Sequence, residues 1–88
     1  MKIIVFILIS AKDGRFHFGQ STDLRKTIYA HNKGLSAFTK KYIPWELLAS
    51  KIVETRTEAK SIELELRKMR TKEEVLKFML YKDFEIEA

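Results

Sequence analysis

Eighty-eight residues, 45% apolar and 33% charged, are enough for one hydrophobic core and too few for two. The longest apolar run, Ile3 to Ile9, is far short of the roughly 20 residues of a membrane-spanning helix, and the absence of cysteine excludes disulfides, thiolate zinc sites and thiol nucleophiles. The formal charge of +5 is uneven: residues 1–44 hold eight Lys/Arg against two Asp, a net +6, and residues 45–88 hold nine against ten Asp/Glu, a net −1. A basic half of this kind points to a polyanionic partner, nucleic acid foremost. With no signal-peptide cleavage site after the apolar run, the expected location is the cytoplasm.

In chain order, Lys2 to Ser10 is β-branched and apolar on both faces, which predicts a central strand covered on both sides. Lys12-Asp13-Gly14-Arg15 supplies a turn into Phe16-His17-Phe18, a second strand ended by Gly19, so the two form a hairpin. Ser21 or Thr22 is placed to cap a helix with Asp23 in its first turn. Leu24, Thr27, Ile28 and His31 share one face of that helix, and Gly34 suits its left-handed exit.

Residues 35–45 read as a basic loop closed by Pro44, with Tyr42, Pro44 and Trp45 as packing that fixes its end. Trp45 to Val53 predicts a third strand. Thr57 is placed to cap a helix carrying Ala59, Ile62, Leu66 and Met69 on one face. Thr71-Lys72-Glu73-Glu74 fits a capping box for a last helix, whose apolar face is Val75, Leu76, Met79 and Leu80. The order β-β-α-β-α-α predicts a small α+β domain over residues 1–88, a three-stranded sheet with helices packed over it.

Several stretches together resemble the GIY-YIG endonuclease superfamily. Val5-Phe6-Ile7-Leu8 stands where that family has V-Y-x-L, and His17-Phe18-Gly19-Gln20-Ser21 where it has Y-I-G-x-T. Asp23-Leu24 through His31-Asn32 resembles N-L-x-x-R-L-x-x-H-N, and Thr39 to Leu47 resembles T-x-x-Y-x-P-W-x-L. Glu58-Ala59 followed by Glu63 resembles E-A-x-x-x-E. The five stretches span about residues 3 to 80 in the family's order. They are closest in character to small stand-alone bacterial members similar to the nuclease subunit of nucleotide excision repair.

The resemblance implies hydrolysis of a phosphodiester in DNA. That reaction needs a deprotonated water, a divalent cation and positive charge against the charge that develops on phosphate. In the family a tyrosine from each triplet handles the water, a helix arginine is the cationic clamp and a glutamate holds Mg²⁺. Glu63 keeps the metal position; its plain structural alternative is an i,i+4 ion pair with Arg67. His31 is also kept, either touching phosphate or orienting a neighbour.

Three catalytic positions depart from the pattern. Phe6 and His17 replace the two tyrosines and Thr27 replaces the arginine. Electrostatic and general-base contributions are each commonly worth about 10²- to 10⁴-fold, so losing several leaves little activity by the family mechanism. The principal expectation is therefore a nucleic-acid-interacting nuclease-like domain with weak or lost hydrolysis. The alternative from the enzyme class is a Mg²⁺-dependent endonuclease with His17 as base and Glu63 as metal ligand. A third reading is a protein-interaction module on the same fold. For nucleic-acid contact the candidates are Arg25, Lys26, Lys33, Lys40 and Lys41, expected to form one basic face.

Overall fold

The computed structural model describes residues 2–87. Strand β1 (Ile3–Ser10) turns into β2 (Phe16–Ser21), followed by helix α1 (Leu24–Asn32) and a short 3₁₀ turn at Lys40–Tyr42. Strand β3 (Trp45–Val53), helices α2 (Arg56–Arg67) and α3 (Lys72–Tyr81) and strand β4 (Glu85–Ile86) complete it. The sheet is antiparallel throughout, in the order β2-β1-β3-β4. The α+β class expected from sequence stands, with one strand more than the three expected. Phe84 is buried against Phe78 and anchors the returning chain, which pairs Glu85 and Ile86 with Ser50 and Ala49. Two residues are too few to show a periodicity, and for that reason the strand escaped the sequence reading.

Strand β1 is apolar on both faces because both are covered. Ile3, Val5 and Ile7 join Ala59, Ile62 and Leu66 of α2 and Val75, Phe78 and Met79 of α3 in one core. Phe6 and Leu8 point the other way, to Trp45 and the half-buried Leu24, Ile28, Tyr42, Ile43 and Leu47. A register shift between Ile7 and Leu8 marks a bulge in the β1–β3 pairing. At the hairpin, Gly14 takes φ +79°, a left-handed conformation that glycine adopts without a side-chain clash. The buried Ser10 hydroxyl ties this turn to the loop before β3, accepting from the amides of Lys12 and Asp13 and donating to the Tyr42 carbonyl at 2.6 Å.

Three local expectations are corrected. Helix α1 is capped by Asp23, whose carboxylate accepts from the Lys26 amide, because the Ser21 hydroxyl is already engaged by the Asp23 amide and the Thr27 hydroxyl. Helix α2 is capped by Thr55 through the Glu58 amide, which places Thr57 inside its first turn. On α3 the stripe that faces the core is Val75, Phe78 and Met79, and Leu76 and Leu80 are exposed. Those two lie one residue beyond the stripe, about 100° around the helix. Thr71 caps α3 as the sequence predicts.

Candidate active site and nucleic-acid interface

The candidate site grows from the pairing of Phe6 with Gly19 across β1 and β2. A side chain at residue 19 would meet the Phe6 ring at 2.5 Å, so glycine is what lets that ring lie over β2. His17, two residues back on the same face of β2, has its ring centroid 6.3 Å from that of Phe6 and 5.8 Å from that of Trp45. His31, from the last turn of α1, meets His17 edge-on at 4.9 Å and lies 6.4 Å from Phe6. The result is a cluster of four rings at the α1 face of the sheet.

Hydrogen bonds hold this cluster in place. The His31 Nδ1 lies 2.8 Å from the hydroxyl of buried Thr39, and the Thr39 carbonyl accepts from the Trp45 indole at 2.9 Å. The Asn32 amide grips the Trp45 backbone from both sides, accepting from its N–H at 2.6 Å and donating to its carbonyl at 3.0 Å. The His31-Asn32 pair thus orients the loop and the start of β3. Thr27 sits at the other end of α1, where its hydroxyl donates to Ser21 at 2.6 Å and lies 3.1 Å from the Asp23 carbonyl.

Electrostatics follow from this packing. Burial is the main force on the His17 imidazole; the charges of His31 and Arg67 push the same way and Glu63 opposes them. The net effect lowers its pKa to about 4, so it is neutral at physiological pH and a weak base. Burial also lowers the His31 pKa. Glu63 and Arg67 reach the edge of this site from α2, which packs along β2. The Arg67 guanidinium donates to the Phe18 carbonyl at 3.3 Å and to the Glu63 carboxylate at 3.4 Å. The carboxylate side chain is 14% exposed and the guanidinium side chain 55%. The i,i+4 pair weighed from sequence is therefore formed.

Among the described residues, no three His, Asp or Glu side chains gather into a metal cage. A single, partly buried, acceptor-only carboxylate nonetheless fits Mg²⁺, which keeps several waters and completes its shell from substrate phosphate. Glu63 is a carboxylate of that kind, with the more exposed Arg67 as its partner. Of the candidate cations, Arg25 and Lys26 lie in the first turn of α1, Lys33 caps its C-terminus, and Lys40 and Lys41 belong to the 3₁₀ turn. All five are exposed.

The family model of the GIY-YIG catalytic domain matches residues 2–78. The chain belongs to the GIY-YIG family. Among solved structures it is similar to the UPF0213 protein BH0048 of Bacillus halodurans, determined by solution NMR, with 27% identity and a TM-score of 0.56. That match covers 91% of this chain and 85% of the other. No curated protein matches the chain. GIY-YIG nucleases in general act on nucleic acid and depend on a divalent metal. In this GIY-YIG chain, Phe6, His17 and His31 form one ring cluster, Thr27 lies by the end of β2, and Glu63 bears on His17 from α2.

Sequence reasoning missed three members of this neighbourhood. From sequence Arg67 is only an ion-pair partner, although its spacing of four from Glu63 puts both on one helix face. Thr39 belongs to a loop motif, and its hydroxyl meets His31 only in the folded chain. Ser21 is one of several competent helix caps, and at the end of β2 it accepts from Thr27 instead.

Proposed function

We propose that this protein is a nucleic-acid-interacting GIY-YIG domain, acting on DNA in the cytoplasm, in which phosphodiester hydrolysis by the family mechanism is weak or lost. The observation that carries this reading is the environment of Thr27. In the arginine's place stands a neutral hydroxyl, already bonded to Ser21 and next to the Asp23 carbonyl. Phe6 adds no hydroxyl, and His17, with a pKa of about 4, is a poor acceptor for a water proton. If Mg²⁺ binds, Glu63 would hold it, and the ion would supply Lewis-acid stabilisation of phosphate charge. The exposed lysines of the loop would hold the backbone by charge.

Arg67 favours a second reading, an active endonuclease. Its guanidinium lies beside Glu63 and its charge reaches His17, so it stands as a replacement for the missing helix cation. His17 would then take the water proton.

A nicking assay with Mg²⁺ and Mn²⁺ on duplex, single-stranded and branched DNA separates the two readings. The first expects background cleavage from the wild-type chain and at least about a 10²-fold gain from the combination Phe6→Tyr, His17→Tyr and Thr27→Arg. A new hydroxyl left unpaired in the buried Phe6 site costs about 1–3 kcal/mol, so the triple variant's thermal melt must accompany the result. The second reading expects wild-type cleavage that His17→Ala and Glu63→Ala each abolish. Its rate would rise with pH through about 4 and be level at neutral pH. Wild-type cleavage insensitive to both substitutions refutes both readings.

A further inference from the structure

The loop between α1 and β3 holds the large apolar side chain most open to solvent among the described residues. Phe38 is 88% exposed and Leu35 74%. The segment is nevertheless well anchored. The Thr39 and Lys40 amides both donate to the Ser36 carbonyl, and Leu35 donates to the Ala30 carbonyl at the end of α1. Thr39, the next residue after Phe38, is buried and bonded through its hydroxyl to His31 and through its carbonyl to Trp45. The exposed ring thus stands next to a residue fixed to the candidate active site, on backbone that has little freedom left to lose on binding.

Lys33, Lys40 and Lys41 are exposed around the same loop, which contains no acidic residue between Lys33 and Lys41. An exposed ring on a loop that also carries exposed lysines, one of them with its ammonium over the Tyr29 ring, matches a ligand with π-faces on an anionic backbone. Of the neutral polar side chains around the loop, Thr39 is committed to His31 and Asn32 to the Trp45 backbone, which leaves the Ser36 hydroxyl, two residues before the ring. One small hydroxyl offers little to read a base edge with, so stacking and charge are the main means of recognition.

Building on the nucleic-acid reading above, we propose that Phe38 stacks on an unpaired base of single-stranded DNA, with Lys33, Lys40 and Lys41 holding the flanking phosphates. The DNA-binding face then prefers unpaired over paired strands, without sequence preference. Thr39, the residue after Phe38, bonds His31, so the loop that carries the ring adjoins the candidate site.

Fluorescence anisotropy with labelled oligo-dT, the matching oligo-U and a hairpin duplex of equal length tests this on the full chain. The wild-type protein should bind oligo-dT more tightly than the hairpin. Phe38→Ala should lose about 5- to 100-fold on oligo-dT, the equivalent of one base stack, while hairpin affinity changes less than twofold. Phe38→Trp should restore the affinity, and its added emission should be quenched by oligo-dT, a response that a loop-packing role would not give. Lys40→Ala with Lys41→Ala should weaken both ligands and flatten the salt dependence. Equal wild-type affinity for strand and hairpin, or an unaffected Phe38→Ala variant, overturns the stacking proposal and leaves nucleic-acid binding standing. Tighter binding of oligo-U overturns the assignment to DNA. No binding to any of the three at low salt overturns the nucleic-acid reading together with the proposal.

Discussion

The two faces of the sheet are built on different principles. Against α2 and α3 lies a core of buried residues that is entirely apolar, from Ile3, Val5 and Ile7 through Leu66 to Met79 and Phe84. Against α1 the buried apolar residues are Phe6, Leu8 and Trp45, and α1 itself contributes no buried residue. That second face is held by named hydrogen bonds instead: Thr27 to Ser21, His31 to Thr39, and Asn32 to the Trp45 backbone. The α2/α3 face carries the apolar burial that drives folding. The α1 face spends less on packing and keeps titratable rings half-open to solvent, which a site for chemistry or binding requires. Edge strand β2 lets the two meet, since Glu63 and Arg67 reach its rim from the apolar side.

Truncation in the larger core should have the largest effect. Leu66→Ala removes a fully buried side chain and should cost about 2–5 kcal/mol in urea unfolding, read as a lower midpoint at unchanged slope. A loss under about 1 kcal/mol would remove the contrast between the faces.

A smaller effect is expected from crowding the other face. Gly19→Ala places a methyl 2.5 Å from the Phe6 ring and should cost about 1–3 kcal/mol, because the ring must leave its place over β2. Phe6→Leu in the same chain should return part of that loss, a coupling that two independent sites would not show. Additive costs would mean that the Phe6 ring does not depend on Gly19.

Titration should have the smallest effect and sharpens the comparison on the α1 face alone. The unfolded His17 protonates near 6.5 and the folded one near 4, so between those values the unfolded chain binds more protons. Its contribution is complete above pH 6.5 and is lost as the pH falls toward 4. The melting temperature should therefore decline through that window, and His17→Gln should decline less. His31, also lowered by burial, adds to the slope in the same direction, so some decline persists in the variant. Parallel wild-type and variant curves would show that the His17 ring is not desolvated.

Much of this was legible in the residues themselves. The seven-residue apolar run of β1, the Gly14 turn, the Trp45–Val53 strand, the Gly34 exit and the Thr71 cap are each local signals, and each element formed where its signal lay. The misplacements were equally local in cause. Ser21, Thr22 and Asp23 are all competent caps, as are Thr55 and Thr57, and propensity cannot choose among neighbours of similar chemistry. The choice fell to whichever side chain had no other partner.

Residue identity and spacing along one chain are enough for the main strands and helices and for the GIY-YIG family, with Phe6, His17 and Thr27 at its motif positions. Tertiary structure alone decided what surrounds those substitutions. It put the Phe6 ring over Gly19, closed Thr27 onto Ser21, drew His17 and His31 to 4.9 Å, and brought Arg67 to the rim of β2. It also left Phe38 in solvent beside a buried Thr39. Each of these is a pairing between distant segments, settled by which side chains could be desolvated together with their hydrogen bonds satisfied, and no pattern of neighbouring residues encodes that.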